Sequence, residues 1–576
     1  MAENVTFAEA WAVQFLSPLL KVSIAAGASN ASLFPLIDFI LDGTQNLLTL
    51  NYANGLSVVA EGTGITESSG TITGGTIDTV SVHNEDGDLV ATITGFPAVQ
   101  AVDLFDALGS DVSAARYQFW TSLVDGDTTG TGGSSNDGFV AGTGNDTISG
   151  KGGDDLVVKF DPGNLTYDGG SGSDTLSFIE EIGQTFQNPL VQTLIVNLSA
   201  GSGQNPYGGA LALTSVENII GTYVADQITG NAAANVIGDG LFDGGADTIN
   251  TLGGNDIVKL SPQSAGTKAD GGSGTDTLYF NFAGGVHTLD LTDQSRNTGV
   301  FGAGGTFKNF EVFEAGRDIT VPGQVLNFIG DGAAQIFHLK GSGQTHLAMG
   351  GGDDTVYAGF VIFSGLTSAD GGAGTDRLVG FRGVLDLLDP ANNTDAYANG
   401  TFTNFEIFEA RGGFLKFVGD ARDNVVHGDP TAVFADTLDG GKGKDSLEGG
   451  AGDDVLIGGK QKDTLRGGAD ADQFVFTAVK DTGKNKKKAD IIEDFDRAEG
   501  DQINLSAIDA KKGSGHQAFK WIGKSKFHDK KGELHYLKKK GFVVVEGDLT
   551  GNGKANFAIK VDDISKLKEA DFLLEV

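Results

Sequence analysis

The stretch GGKGKDSLEGGAGDDVLIGGKQKDTLRGGADADQF, from Gly440 to Phe474, repeats one pattern every nine residues. Each repeat has a glycine pair, then an aspartate, then a bulky apolar residue two positions later; the aspartates are Asp445, Asp454, Asp463 and Asp472. Glycine pairs permit tight turns with positive φ, and the segment after each aspartate suits a very short strand. The sequence therefore predicts a stack of turns and short strands.

The aspartate of each repeat lies at the turn, where its carboxylate can share an ion with backbone carbonyls of the glycines. Oxygen-only ligation selects a hard cation, and a flexible site of this kind favours Ca²⁺ over Mg²⁺. Two nonapeptides would complete one coil, so each turn would stack on the turn eighteen residues away, with calcium between them. This pairs Asp436 with Asp454, Asp445 with Asp463, and Asp454 with Asp472. The apolar residues, Leu447 among them, are expected to point inward.

This pattern resembles the RTX (hemolysin-type) calcium-binding nonapeptide G-G-x-G-x-D-x-(apolar)-x, a β-helix repeat. Two copies depart from it, because Gln461 replaces the third glycine and Asp470 precedes the fourth aspartate. The resemblance implies a parallel β-roll with several Ca²⁺ ions. The candidate ligands in the tandem repeat are Asp436, Gly441, Gly443, Asp445, Gly450, Gly452, Asp454, Gly459, Asp463, Gly468 and Asp472.

A looser form of the same spacing continues upstream. Aspartates nine residues apart occur at 137, 146 and 155 and at 247 and 256, while Asp226 is followed nine residues later by Asn235. The segments DGGSGSDTLSF, DGGSGTDTLYF and DGGAGTDRLVGF begin at Asp168, Asp270 and Asp370, about 100 residues apart. The further candidate calcium ligands are Asp137, Asp146, Asp155, Asp174, Asp247, Asp256, Asp276, Asp354 and Asp376.

Such self-similarity indicates a solenoid built by duplication. We predict three long units at 132–243, 244–342 and 343–433, followed by the tandem roll at 434–480. The fold class is therefore all-β: a calcium-stapled parallel β-roll or β-solenoid with three units of about 100 residues. Repeated Phe-Glu pairs, such as Phe310-Glu311 and Phe405-Glu406, could be catalytic carboxylates, but alternating strand residues with Phe inside and Glu in solvent explain them better.

Residues 1–131 lack the nonapeptide and are predicted to form a small α+β domain. Apolar runs at Trp11–Ile24 and Leu33–Leu41 look helical, and residues 99–127 read as two helices. Strands are expected at LSVVAEG, GTIDTVSVHN and DLVATITGF, with a turn at Asn84 to Gly87.

Residues 481–576 differ in character. ADIIEDFDRAEGDQINLSAID (Ala489–Asp509) and GDLTGNGKANFAIKVDD (Gly547–Asp563) are similar to the C-terminal cap of serralysin-type RTX proteins. That resemblance implies a cap that closes the roll and carries an uncleaved type I secretion signal. The lysine runs Lys486 to Lys488 and Lys538 to Lys540 are read as a solvated face.

The charge and residue content of the chain limit the classes of partner that it can bind. A formal net charge of -36 disfavours nucleic acid and suits cations. There is no cysteine, and no run of about 18 apolar residues suggests a transmembrane segment. Glu3 and Glu9 precede the N-terminal apolar run, where a cleaved signal peptide would have positive charge. We expect an extracellular protein of a Gram-negative bacterium, associated with the cell surface and exported by type I secretion machinery.

Two functions remain open at this stage. The zinc motif H-E-x-x-H and the nucleophile motif G-x-S-x-G are both missing from the sequence, which leans against an enzyme, although a carboxylate pair has no fixed spacing. Repetition and length favour a structural or adhesive protein of a surface layer or biofilm matrix, with self-assembly or cell-surface polysaccharide as its partner. The alternative is a polysaccharide-acting enzyme or lectin with a groove along the long units.

Overall fold

A computed structural model of the chain describes five N-terminal strands and most of the chain from residue 126 onward. The described ranges after the N-terminal strands are 126–159, 161–178, 191–240, 245–262, 264–281, 284–302, 304–316, 324–340, 344–358, 366–394, 398–485, 487–511 and 515–575. In these ranges the only helices are short 3₁₀ turns, at Gln294–Arg296, Gly299–Phe301, Pro390–Asn392 and Glu569–Asp571. Within the same residues, no helix has the length and apolar character needed to span a bilayer.

The N-terminal strands form one antiparallel sheet in chain order. They are Leu36–Leu41, Leu47–Tyr52, Ser57–Ser68, Thr71–His83 and Leu89–Gln100. The three predicted strand runs are confirmed, but the helix predicted at Leu33–Leu41 is wrong, since Leu36–Leu41 pairs with Leu47–Tyr52. A short apolar run does not distinguish a helix from a buried strand. Three other predictions fall outside the described residues: the Trp11–Ile24 helix, the Asn84 to Gly87 turn and the two helices within 99–127. Of the last segment the structure describes only residues 99–100 and 126–127.

The chain divides into two compact units, Met1–Phe280 with Val300–Phe310, and Asn281–Gly299 with Glu311–Val576. Beyond the N-terminal sheet, the first unit has two sheets of short, mostly parallel strands. One sheet contains Thr129–Thr131, Gly144–Ser149, Gly163–Asp168, Ile195–Asn197, Ser202–Gln204, Ala210–Thr214, Gln227–Thr229, Thr248–Asn250, Lys268–Asp270 and Thr306–Lys308. The other contains Gly138–Ala141, Leu156–Lys159, Thr175–Ser177, Asn218–Ile220, Val236–Gly238, Ile257–Leu260 and Thr277–Phe280.

The second unit repeats this plan and ends in the C-terminal segment. Its first sheet contains Val286–Asp290, Val325–Ile329, Gln344–Ala348, Leu366–Asp370 and Thr401–Thr403. The remaining strands before the tandem roll are Val312–Ala315, Ile336–Leu339, Thr355–Ala358, Arg377–Asp386 and Ile407–Val418. The roll and its C-terminal continuation contain Val425–His427, Thr437–Asp439, Ser446–Ala451, Val455–Ile457, Thr464–Ala469, Gln473–Val475, Asp490–Ile492, Gln502–Asn504, Lys520–Trp521, Glu533–Lys538, Phe542–Asp548, Phe557–Asp562 and Phe572–Leu573.

The tandem roll has the predicted coil of two nonapeptides. Thr437–Asp439 pairs in parallel with Val455–Ile457, and Ser446–Ala451 pairs with Thr464–Ala469, a register of eighteen residues in both cases. Leu447, Leu456, Leu465 and Phe474 are all at most 1% exposed, so the inward apolar residues form continuous columns. Burial of each such side chain contributes roughly 1.5–3 kcal/mol. The predicted all-β parallel roll is confirmed.

The C-terminal segment continues this roll. Asp490–Ile492 follows Thr464–Ala469 in the sheet and pairs in parallel with Phe557–Asp562. Phe557–Asp562 then joins an antiparallel group with Phe542–Asp548 and Glu533–Lys538. Lys538, Lys539 and Lys540 are exposed at the tip of this group, in agreement with the predicted solvated face.

Candidate calcium sites

The stacked turns of the roll are joined by a hydrogen bond between successive aspartates. The backbone N–H of Asp445 donates to Oδ1 of Asp463 at 2.8 Å, and the N–H of Asp454 donates to Oδ1 of Asp472 at 3.0 Å. Asp436 donates in the same way to Asp454 at 2.7 Å. All three predicted pairings are therefore confirmed. Each carboxylate uses one oxygen to bind the turn eighteen residues before it.

These bonds form two separate rows along the roll. We call the row through Asn424, Asp445, Asp463 and Asp490 the Asp445 ladder, and the row through Asp436, Asp454, Asp472 and Asp501 the Asp454 ladder. Because consecutive nonapeptides alternate between the two rows, each coil contributes one aspartate to each ladder.

The second carboxylate oxygen behaves differently from the first. In Asp445, Asp454, Asp463 and Asp472, Oδ2 is buried and has no hydrogen-bond partner among the residues that the structure describes; Asp490 shares this property. A buried carboxylate oxygen left in this state is strongly unfavourable unless a cation neutralises it. Within the described ranges, buried oxygens of this kind recur from repeat to repeat, which would be an unusual defect, whereas they are the expected donors of a hard-cation site.

The surroundings of Oδ2 fit a metal ion. A Cβ added to Gly449, five residues before Asp454, would lie 2.2 Å from Oδ2 of Asp454 and 2.6 Å from the carbonyl oxygen of Gly467. Gly467 and Asp472 repeat this relation at 2.1 Å. A side chain in place of glycine would fill the space beside the carboxylate oxygen. Among the described residues no three acidic or histidine side chains cluster as a metal site, so backbone carbonyls would supply the remaining oxygen ligands.

The other two glycines of each repeat have a different role, which is to allow positive φ. Gly450 and Gly452 have φ of 111° and 120°. At the positions equivalent to Gly452 in the next two repeats, Gln461 and Asp470 adopt φ of 89° and 80°. The departures from the nonapeptide therefore keep the turn conformation, although a non-glycine residue in this region is strained.

Burial makes the ladder carboxylates hard to ionise when no cation is bound. Burial, partly opposed by the ladder hydrogen bond and reinforced by neighbouring aspartates, raises the pKa of Asp454 to about 7 and that of Asp463 to about 8. The same causes raise the pKa of Asp445 to about 7 and that of Asp472 to about 8. A bound divalent cation would instead favour the ionised form.

The looser repeats upstream form ladders of the same kind within each unit. In the second unit, Gln335 donates to Asp354 and Asp354 donates to Asp376, across 19 and 22 residues. In the first unit the rows are Asp137 to Asp155 to Asp174, and Asn235 to Asp256 to Asp276. Oδ2 of Asp155, Asp174, Asp354 and Asp376 is buried without a hydrogen-bond partner in the part of the chain that the structure describes.

Three predicted positions of the first compact unit have protein partners instead. Oδ2 of Asp146 accepts from the Lys159 ammonium at 2.9 Å. Asp247 accepts the N–H of Asp226 on Oδ1 and lies 3.5 Å from the Thr267 hydroxyl on Oδ2. Asp137, at the edge of its row, accepts the N–H of Gly133 at 2.6 Å. The assignment of individual calcium ligands stays a prediction.

Several ladder members were missed by the sequence reasoning. Asp490 is the last member of the Asp445 ladder, because its Oδ1 accepts the N–H of Asp463, 27 residues earlier. Asp501 is the last member of the Asp454 ladder, because its Oδ1 accepts the N–H of Asp472, 29 residues earlier. The sequence pattern that could have identified them is an aspartate with an apolar residue two positions later, Ile492 after Asp490 and Ile503 after Asp501. Glu217 and Glu406 are a second group: their Oε2 atoms accept the N–H of Asp174 and Asp376, both at 3.0 Å.

The phenylalanines of the Phe-Glu pairs lie in the core. Phe310, Phe313, Phe405 and Phe408 are buried, which confirms their predicted orientation. The glutamates are more engaged than predicted, because Glu406 closes a turn and Glu409 pairs with Arg377 at 2.8 Å. The half-buried ring of His338 stacks on the ring of Tyr357. The Nδ1 atom of His346 forms a hydrogen bond of 2.8 Å with the Ser368 hydroxyl.

This fold, a parallel roll whose glycine turns present stacked carboxylates, defines a calcium-binding solenoid. The family described as RTX calcium-binding nonapeptide repeat (4 copies) matches residues 124–158, 243–259, 433–465 and 449–481. The chain thus carries RTX nonapeptide repeats, and these repeats bind Ca²⁺. No curated protein matches the chain. The ladder geometry also extends to turns outside the matched residues, such as those at Asp174 and Asp376.

Proposed function

We propose that this is a secreted protein whose roll folds on extracellular calcium and then serves a structural or adhesive role at the bacterial surface, in a surface layer or biofilm matrix. The observation that carries the calcium-driven step is the series of buried, unpartnered Oδ2 atoms at Asp445, Asp454, Asp463 and Asp472 in the described roll. At neutral pH this arrangement is unfavourable without a cation, so folding and ion binding are coupled.

Calcium coupling suits export through type I secretion machinery. Where calcium is scarce, adjacent carboxylates of the ladders repel one another and disfavour the folded roll, which keeps the chain threadable. Where calcium is abundant, binding to the folded state alone contributes about 2.7 kcal/mol per site at 100 times the dissociation constant. The resemblance of Ala489–Asp509 and Gly547–Asp563 to serralysin-type caps supports the same route.

The structural role is supported by the outward faces of the coils in the second unit. Polar pairs follow one another along this face: the ion pairs Arg377 to Glu409 at 2.8 Å and Arg466 to Glu493 at 3.9 Å, and a contact of 2.8 Å between His427 and Glu448. Neighbouring strands are about 4.8 Å apart, so such a face offers chemical groups at a regular spacing. A second copy of the chain or an extended polysaccharide could match it.

The test is a calcium titration of the full-length, calcium-stripped protein at neutral pH. Circular dichroism would follow β-structure, and electron microscopy would inspect the end point. A cooperative gain of β-structure that ends in sheets or filaments supports the proposal. Folding that is independent of calcium would overturn the calcium-driven step, and discrete monomers at every protein concentration would overturn the structural role.

A glycan-binding role is the second candidate, because one aromatic pair lies on an outward face. The rings of His338 and Tyr357 stack with centroids 4.5 Å apart and an interplanar angle of 3°. Glu314 precedes His338 in the same row and pairs with Lys340 at 2.6 Å. Acidic-glycan and neutral-glycan arrays probed with the wild type and Tyr357→Ala would test this role, since a lectin that uses this pair should lose binding in the variant.

A further inference from the structure

Lys159 is a lysine at a core position of the first unit. It ends the strand Leu156–Lys159, whose residues alternate between half-buried and buried, and its side chain is 0% exposed. Two strands of the same sheet, Ile257–Leu260 and Thr277–Phe280, also have every second residue buried and end in the buried Leu260 and Phe280. A lysine therefore occupies a place in the pattern where the other two strands have large apolar side chains.

The Lys159 ammonium is engaged with one turn of the repeat. Nζ lies 2.9 Å from Oδ2 of Asp146, whose side chain is also 0% exposed, and Nζ donates a second hydrogen bond to the carbonyl oxygen of Gly142. Burial of an ammonium is costly unless a charged partner and hydrogen bonds compensate it. Here the partner is a repeat aspartate and the second acceptor is a carbonyl of its own glycine turn.

The Asp146 turn is otherwise a member of the series. Oδ1 of Asp146 accepts the N–H of Thr128, eighteen residues earlier, at 3.0 Å, which is the ladder bond that Asp454 makes with Asp436 at 2.7 Å. The two turns differ at Oδ2. In Asp454 this oxygen has no partner among the described residues, whereas in Asp146 it accepts from Lys159.

A second difference lies five residues before the aspartate. Asp454 has Gly449 there, and an added Cβ would approach Oδ2 to 2.2 Å. Asp146 has Ala141 at that position, fully buried, so a methyl group is present where the roll has none. By its place in the repeat the alanine corresponds to the glycine beside Oδ2, while the lysine reaches this oxygen from a different strand.

The ammonium and a calcium ion exclude each other at this oxygen. Calcium binds carboxylate oxygens at about 2.3–2.6 Å, and the ammonium nitrogen already lies 2.9 Å from Oδ2. The two cations would overlap and repel. The ammonium also takes the Gly142 carbonyl, a group of the kind that would complete an oxygen cage.

We propose that the Asp146 turn is calcium-independent, and that the Lys159 ammonium is a built-in cation that replaces the metal ion there. This inference rests on the proposed calcium role of the repeat aspartates. In this turn the charge of the aspartate is balanced by a lysine of the same chain rather than by a metal ion. Asp226, in the same unit, is also saturated by protein donors: it accepts from the N–H of Thr222 at 2.7 Å, the Thr222 hydroxyl at 2.9 Å and the N–H of Leu194 at 3.1 Å.

The test counts calcium bound to the full-length protein after gel filtration in calcium buffer, by elemental mass spectrometry. The double variant Asp146→Asn with Lys159→Met removes both charges while keeping the side-chain sizes. It should bind the same number of ions as the wild type, whereas Asp454→Asn should bind at least one fewer. A drop in the double variant equal to that in Asp454→Asn would overturn the inference and leave the calcium role intact.

A gain-of-site variant makes the same test in the opposite direction. Ala141→Gly with Lys159→Met restores the glycine and removes the ammonium from Oδ2 of Asp146, so the variant should bind one ion more than the wild type. An unchanged count in a variant that folds in calcium would contradict the replacement of metal by the ammonium. If Asp454→Asn also leaves the count unchanged, the proposed calcium assignment of the repeat aspartates is at fault instead.

Discussion

The tandem roll at 434–480 and the turn at Asp146 join successive coils through the same hydrogen bond but differ at the second carboxylate oxygen. In the roll, Asp454 and Asp463 leave Oδ2 buried without a hydrogen-bond partner among the described residues, while Asp146 binds Lys159. By the inference drawn above, one backbone motif would support a metal-dependent turn and a metal-independent turn. Two residues separate the turns: Lys159, from a neighbouring strand, and Ala141, which stands where the nonapeptide has its first glycine.

Removal of calcium should separate the two regions most strongly. With a chelator at pH 7.5, residues 434–480 should lose protection from hydrogen exchange completely, because several sites contribute about 2.7 kcal/mol each at 100 times the dissociation constant and their sum is comparable with the whole stability of a domain. Peptides covering Gly144–Ser149 should lose less. Exchange measured by mass spectrometry with and without calcium makes the comparison, and equal loss in both regions would contradict it.

Acidification should substitute in part for calcium. The buried roll aspartates have pKa values raised from 3.8 to about 7 for Asp454 and about 8 for Asp463. As pH rises above 4 the unfolded chain ionises first, so the ion-free roll loses stability up to about pH 8, where its own carboxylates ionise. Calcium-stripped protein should therefore show more β-structure by circular dichroism at pH 5.5 than at pH 8.5.

The control for this pH effect is the calcium-loaded protein. Its carboxylates are held ionised by the metal, so its circular dichroism should not fall between pH 5.5 and 8.5. The sequence pI of about 4.4 makes dilute samples necessary at the acid end. A flat profile in the stripped protein would mean that the ladder carboxylates are not protonated in its folded state.

Removal of a single ladder carboxylate should lower the stability of the roll by a smaller but measurable amount. Asp463→Ala removes the acceptor of the Asp445 N–H and one proposed calcium ligand, and should lower the free energy of unfolding in calcium by about 4 kcal/mol. The matched control is Asp453→Ala, an exposed neighbour whose Oδ1 accepts the N–H of Ala471 at 3.0 Å, with an expected loss under about 1 kcal/mol. The calcium midpoint of folding should rise strongly only for Asp463→Ala, and equal shifts would remove the distinction between ladder and surface aspartates.

Much of the roll was predictable because its period fixes both the turn and the stacking partner. Asp445 and Asp463 pair since two nonapeptides return the chain to the same edge. Partners set by long insertions were not predictable: Glu217 meets Asp174 across 43 residues and Glu406 meets Asp376 across 30. The Lys159 side chain was missed for a related reason, since its spacing of 13 residues from Asp146 belongs to no repeat.

The smallest expected effect concerns the turn conformation that the metal-dependent coils share. Gln461 adopts φ of 89° where the preceding repeat has Gly452 at 120°, so Gln461→Gly relieves strain but gives the unfolded chain more freedom. The net gain should be about 0.5–1 kcal/mol, measured as an increase in the denaturation midpoint in saturating calcium. The reverse change, Gly452→Gln, should destabilise by more, because its Cβ would lie 2.2 Å from the carbonyl oxygen of Phe434. If Gln461→Gly instead lowered stability, the Gln461 side chain would have to contribute more to this turn than its strained φ costs.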